Sequence, residues 1–278
     1  MDKNLLHGMI RSFLAEDIGR GDLTSESIFT EAETGRARLV PRQSCVVAGV
    51  GTVAAEVFRV QNPDIEVFDL VADGARVGPG EVLLTVEGPV IDLLKAERVA
   101  LNLLQRLSGI ATLTASFVDE VRGYPARITD TRKTVPGLRV LEKYAVQAGG
   151  GSNHRFNLAD GVLIKDNHLA ACGSITEAVA RVRAKVPHTI RIEVETENIE
   201  QVRECLDCRV DIIMLDNMDT AAMKEAVAII AGRALVEASG GVRLANVREI
   251  AATGVDIISI GALTHSAPSC DIGMDWFV

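Results

Sequence analysis

Aromatic side chains are scarce, at 4% of 278 residues with a single Trp, so any core must be assembled mainly from Val, Ile, Leu and Ala. Long apolar runs are missing as well. No uninterrupted stretch approaches the roughly 20 residues that span a bilayer, which excludes a helical membrane anchor. The first residues, Met1-Asp2-Lys3-Asn4, have no basic flank leading into an apolar segment, so no secretory leader is expected. Positive charge is in deficit: the formal net charge is −9. That argues against nonspecific nucleic-acid binding, which needs a cationic face to displace counterions. The five cysteines, at 45, 172, 205, 208 and 270, are odd in number and follow no framework spacing. They read as reduced thiols, and a cytoplasmic location is expected. There is no low-complexity tract, no long linker and no alignable repeat.

What is present suits a soluble enzyme. Apolar residues make up 47% and charged residues 24%, and the length allows either one large α/β barrel or two domains. The texture changes near residue 110. Before it, residues 4–15 repeat apolar positions at helical spacing, residues 16–24 read as a polar loop punctuated by glycine, and 36–41, 44–48, 66–71 and 82–86 read as strands. Residues 91–107 predict an amphipathic helix. After it, short apolar runs alternate with helical stretches, with strands expected at 126–130, 161–165, 190–194, 211–215, 234–237 and 256–260. Nearly continuous apolar strands joined by helices imply parallel βαβ units, and six or seven of these can close into a barrel.

Every one of those strands ends in residues that carry chemistry: Asp130 to Lys133, Lys165 to His168, Glu195, Asp216-Asn217, Ser239-Gly240-Gly241 and Gly261-Ala262-Leu263. In a βα barrel such ends converge on one mouth. Between residues 131 and 165, six basic residues (Arg132, Lys133, Arg139, Lys143, Arg155, Lys165) face only Glu142 and Asp160 in an otherwise acidic chain. Arginine forks match carboxylates and phosphates, and lysine adds a point charge, so an anionic ligand is the simplest counter-charge. Solvated surface charge remains the alternative for any one residue. Glu193 and Glu195 share a strand face, and Glu195 with Asp216 could hold Mg²⁺ or accept from ribose hydroxyls; Asp216 could equally cap a helix. The glycine pairs after the last two strands suit a phosphate.

Three other signals are weaker. Cys205-Leu206-Asp207-Cys208 has CxxC spacing but no second pair of ligands, so core thiols are expected. Gly49 to Ala54 imitates a dinucleotide fingerprint without a following βαβ unit. Asp73 to Glu81 resembles a lipoyl-type hairpin without the lysine at its tip.

The motifs taken together resemble the quinolinate phosphoribosyltransferase family. The resemblance is carried by Glu16 to Thr24, Glu97-Arg98-Val99-Ala100-Leu101-Asn102, Thr131-Arg132-Lys133-Thr134-Val135-Pro136-Gly137-Leu138-Arg139, Lys143 to Val146, Gly149 to Arg155, Ile164 to His168, Glu193-Val194-Glu195, Leu215-Asp216-Asn217, Glu237 to Gly241 and Gly261 to Ser266. It implies an N-terminal α/β sandwich over residues 1–110, to which 266–278 return, and an open α/β barrel over 111–265. It implies that Arg132, Lys133, His154, Arg155 and Lys165 line a quinolinate site, with Arg98 reaching into a neighbouring subunit. Lys133, Lys165, Glu195 and Asp216 would carry the catalysis. Glu195 and Asp216 would face ribose and Mg²⁺, directly or through water or substrate. The loops Ser239-Gly240-Gly241 and Gly261-Ala262-Leu263 would hold the 5-phosphate of phosphoribosyl pyrophosphate. A homodimer with shared sites is the minimal unit implied, with higher oligomers left open. Two other readings stand beside it: the molybdenum-transport-associated paralogue, and a Schiff-base lyase using Lys165 on a barrel of the same kind. A noncatalytic anion-binding protein is disfavoured by the acidic pair opposite the basic cluster.

Overall fold

A computed structural model describes residues 2–277. The chain divides into two compact units. The first comprises residues up to Leu113, Val140–Gly150 and Ala267 onward; the second comprises Thr114–Arg139 and Gly151–Ser266.

The first unit is an α/β sandwich. Helix α1 (Lys3–Ile18) starts at Asp2, whose carboxylate accepts from the Leu5 N–H at 2.8 Å. It buries Leu6, Ile10 and Leu14, one residue per turn, and this stripe faces α3 (Ala55–Gln61). The loop expected over 16–24 is shorter than that. Glu16 to Ile18 complete α1, and Asp22 caps a second helix, α2 (Leu23–Ile28), by accepting from the N–H groups of Thr24 and Ser25, both at 3.0 Å. A polar sequence concealed a helix start because Asp is a good cap as well as a loop residue. The sheet has the order β12-β1-β5-β3, built from β1 (Thr34–Pro41), β3 (Glu66–Phe68), β5 (Leu84–Pro89) and the C-terminal β12 (Ile272–Trp276). Its pairings are antiparallel, with Ala37 opposite Trp276 and Val86. Short strands β2 (Cys45–Val46) and β4 (Arg76–Val77) pair separately. Gly49 to Ala54 forms a π-helical turn whose Val50 N–H is already taken by Asp73. The helix expected over 91–107 is α4 (Val90–Glu120), so the texture change near residue 110 falls inside a continuous helix.

Also in the first unit, α5 (Arg139–Ala148) presents Glu142, fully buried, to Arg106 of α4, with Nε and Nη2 at 3.1 and 2.7 Å from one carboxylate oxygen. Lys143, counted in the basic cluster by sequence, is also fully buried here.

The second unit is the open barrel. Its strands are β6 (Arg127–Thr129), β7 (Val162–Ile164), β8 (Ile192–Thr196), β9 (Ile212–Asp216), β10 (Leu235–Ser239) and β11 (Ile257–Ser259), in the order β6-β11-β10-β9-β8-β7 and all parallel. That is chain order around a ring with one pairing, β6 to β7, left unmade. Ser152 instead bridges to Thr129 on the free side of β6. The covering helices α6 (Asp166–Cys172), α7 (Ile175–Arg183), α8 (Ile199–Asp207), α9 (Thr220–Ile230), α10 (Val247–Ala251) and α11 (Ala262–His265) follow the strands. Ser174, Asn198 and Asp219 cap α7, α8 and α9. Asp219 therefore does the capping that sequence allowed for Asp216, and Asp216 stays at the strand end. Of the CxxC pair, Cys205 is buried in α8 and Cys208 ends it, both as free thiols.

A buried carboxylate stripped of its guanidinium costs about 3 kcal/mol. Arg106→Met should therefore lower the melting temperature clearly, and Arg106→Met with Glu142→Met should recover part of the loss; thermal unfolding of both variants checks this.

Candidate active site

Parallel strands put all their C-terminal ends on one side. There the second unit encloses a cavity of about 570 Å³, lined by Arg132, Lys133, His154, Arg155, Lys165, Glu195, Asp216, Ser239, Gly240 and Gly241 among others. Ten of the fourteen residues singled out by sequence thus share one cavity.

The cations reach it from three segments. Arg132 and Lys133 follow β6, where the Lys133 N–H is steadied by Thr131 Oγ1 at 3.0 Å. Arg132 carries a buried Nε without a hydrogen-bond partner. Arg155 leaves a loop pinned from below by Asp130, which is fully buried and accepts from Asn153 Nδ2 at 2.6 Å and the His154 N–H at 2.8 Å. One guanidinium nitrogen of Arg155 donates to the Gly161 carbonyl at 2.8 Å. Burial, and then the neighbouring Arg132 charge, pull the Arg155 guanidinium below its usual value. An anion in the cavity would relieve both. Arg139 is a brace instead: it bonds Thr134 and the Phe156 carbonyl.

The acids come from adjacent strands. Lys165, at the end of β7, donates to Glu195 at 2.9 Å. Asp216 accepts from Asn217 Nδ2 at 2.6 Å. Both carboxylates offer hard oxygen donors at the mouth, a set that suits Mg²⁺.

Beyond β10 the chain turns at Gly240, with φ of 87°. A Cβ there would lie 2.2 Å from Asn217 Oδ1, so only glycine fits. At Gly261 a Cβ would stand 2.9 Å from Lys133 Cδ, and its absence lets that side chain pass. Gly261, Ala262 and Leu263 are outside the cavity lining; Leu263 is fully buried, so only its backbone could meet a ligand. Arg98 is exposed on α4 in the first unit.

Sequence reasoning passed over Glu237 as a site residue. It lies two residues before Ser239 and so on the same face of β10, 1% exposed, and it lines this cavity and a smaller one of about 400 Å³ that reaches Val162, Ile212 and Ile257 at the opposite ends of the strands. His154 Nε2 is 3.2 Å from Glu193 and 3.7 Å from Glu237. Burial first, then the Glu193 charge, push the Glu237 carboxyl up to about 7. A charged residue in the middle of an otherwise apolar strand was the available signal.

With this geometry in place, comparison with known proteins is decisive. Residues 22–108 match the model of the quinolinate phosphoribosyl transferase N-terminal domain, and residues 110–275 that of the C-terminal domain. The chain belongs to the quinolinate phosphoribosyltransferase family. It is 47% identical to the probable nicotinate-nucleotide pyrophosphorylase [carboxylating] of Synechocystis sp., over 95% of this chain and 90% of that one. It is 46% identical to the corresponding protein of Mycobacterium leprae, over 96% and 95%. The solved nicotinate-nucleotide pyrophosphorylase of Ehrlichia chaffeensis superposes with a TM-score of 0.93 at 44% identity, covering 100% of this chain and 99% of that one. As expected from sequence, this family member carries an α/β sandwich and an open α/β barrel.

The Glu237 shift has a consequence for stability. Between its ordinary 4.5 and about 7 the folded state keeps a proton that the unfolded state has released. Stability is therefore lost as pH rises through that window. Glu237→Gln removes this contribution, so its melting temperature should gain on the wild type from pH 5 to pH 8; a constant difference between the two proteins would contradict the assignment.

Proposed function

We propose that the protein transfers phosphoribose from phosphoribosyl pyrophosphate to quinolinate with decarboxylation. The products are nicotinate mononucleotide, carbon dioxide and pyrophosphate, which makes it a pentosyltransferase of NAD biosynthesis. The observation that carries this reading is the single cavity in which four cations stand beside two carboxylates and a Gly-Gly turn.

Arg132, Lys133, Arg155 and Lys165 grip the two carboxylates of quinolinate and aim its ring nitrogen at the anomeric carbon; orientation of this kind is the largest contribution expected. Glu195 and Asp216 face the ribose, where they stabilise positive charge as the sugar becomes oxocarbenium-like. The Lys165–Glu195 bond gives each group a partner until substrate replaces it. Ser239, Gly240 and Gly241, with the backbone of Gly261, Ala262 and Leu263, hold the 5-phosphate. Glu195 and Asp216 would also hold Mg²⁺, directly or through water and substrate, and the bound ion would supply counter-charge for the departing pyrophosphate. Once the glycosidic bond has formed, the pyridinium nitrogen stabilises the electron pair left on ring carbon 2 as the 2-carboxylate departs as carbon dioxide, and that pair then takes a proton from water to complete nicotinate mononucleotide. Burial of that carboxylate favours its loss.

The protein acts in the cytoplasm as a homodimer with shared sites, Arg98 serving the partner's site. Among the described residues no helix is long and apolar enough to cross a membrane. A Schiff-base lyase is disfavoured because the Lys165 nitrogen is engaged by Glu195 at 2.9 Å and stands among other cations and carboxylates in place of the apolar pocket that activates a nucleophilic lysine. A molybdenum-associated substrate is disfavoured because relatives at 46–47% identity over nearly the whole chain are named nicotinate-nucleotide pyrophosphorylases.

Purified protein with quinolinate, phosphoribosyl pyrophosphate and Mg²⁺ should yield nicotinate mononucleotide by mass; none formed would end this reading. Lys133→Ala and Arg155→Ala should each lower kcat/KM by about 100-fold while remaining folded, as expected for loss of a charge-assisted contact. Heterodimers of Arg98→Ala and Lys165→Ala subunits should regain part of the activity absent from either parent, measured after tagged purification.

A further inference from the structure

His154, Glu193 and Glu237 form a cluster that the reaction above leaves without a task. Three ligand atoms, one from each, lie within 4.8 Å of one another in the barrel interior. Glu193 is 4% exposed and Glu237 1%, and each has one carboxylate oxygen with no hydrogen-bond partner. Both line the smaller cavity together with His154. The spacing alone would suit a metal ion, but the other ring nitrogen argues against one. His154 Nδ1 accepts the backbone N–H of Arg155 at 2.8 Å. An acceptor nitrogen carries no proton, so the proton of the neutral ring is on Nε2. A metal bound at Nε2 would have to displace that proton and leave an imidazolate. An imidazolium would need a proton on Nδ1, directed at a second donor. The neutral Nε2–H ring satisfies the Nδ1 contact and leaves Nε2 3.2 Å from Glu193, with Glu237 farther off at 3.7 Å.

We infer that His154 is a positioning residue and not a ligand of the dicarboxylate: the buried Glu193 carboxyl, 3.2 Å from Nε2, orients the ring, and its Nδ1 accepts from the backbone N–H of Arg155. The ring passes a constraint from the barrel interior to the loop that presents the Arg155 guanidinium. Asp130 holds the same loop one peptide earlier, so Arg155 is fixed by two successive backbone N–H groups, each answered by a side chain from below. A charged His154 would add to the crowding of Arg132 and Arg155; a neutral one does not.

The inference rests on the proposed function only where substrate affinity is read, and its first test needs no activity. Side-chain ¹H–¹⁵N correlation spectra of the labelled wild-type protein at pH 7 should show His154 as a neutral ring with Nε2 protonated and Nδ1 bare. The signal is assigned by replacing His7, His168, His188 and His265 in turn, which leaves the cluster untouched. An imidazolium, an Nδ1–H tautomer, or displacement of the signals by added Zn²⁺ or Mg²⁺ would overturn the assignment, the last in favour of a metal site. The second test contrasts two substitutions. In His154→Asn the amide oxygen sits near the place of Nδ1 and can still accept from Arg155, so KM for quinolinate should stay within about threefold. In His154→Gln the amide reaches toward Glu193 and Glu237 but abandons that acceptor position, and KM should rise about tenfold with kcat less affected. Equal losses in both variants would mean that the ring itself meets substrate and would refute the positioning role. If the protein proves inactive with quinolinate, the spectroscopic result still stands or falls alone.

Discussion

Charge taken out of water must find a partner, and the second unit arranges its interior around that demand. Cations stand at the mouth, where Arg155 is weakened by burial and by Arg132. Buried acids stand below them on β8 and β10. The two layers are kept apart by the loop 152–155, whose polar atoms are answered by Asp130 and whose His154 touches the lower layer. The lower layer adds a restraint on the loop beside Asp130 and the Ser152 bridge. Without an anion above, the cations would repel one another. A dianionic ring beside a sugar phosphate satisfies the upper layer in a way that water or a monovalent ion would not.

The parallel sheet makes this arrangement possible. Alternation along β8 and β10 puts Glu193 and Glu195, and likewise Glu237 and Ser239, on common faces, so each strand contributes one group to the interior and one to the mouth. The seam between β6 and β7 leaves an edge where Ser152 can bridge to Thr129, and that bridge starts the loop carrying His154 and Arg155. An interrupted barrel therefore yields a binding loop at the place where its ladder fails.

Much of this was legible beforehand. The alternation of apolar runs with helical stretches set the positions of all six barrel strands, because parallel strands covered on both faces have a composition that few other segments share. The polar residues closing each run pointed to one mouth for the same reason. Sequence was less informative where one residue type serves two purposes. Asp22 looked like part of a loop and caps α2. Lys143 and Arg139 were counted with the basic cluster, yet one is buried in the first unit and the other braces a loop. The change of texture near residue 110 lies close to where one unit gives way to the other, between Leu113 and Thr114, but no break in the chain marks it because α4 runs through.

The sequence by itself determined the class of fold, the converging strand ends and the family, since periodicity and ordered motifs are properties of neighbours along the chain. Only the tertiary structure decided which charges share a cavity, that Asp219 and not Asp216 caps α9, and that Glu237 stands beneath His154. Those outcomes depend on distances between residues far apart in the chain, where the energy of a charge is set by burial and by what faces it.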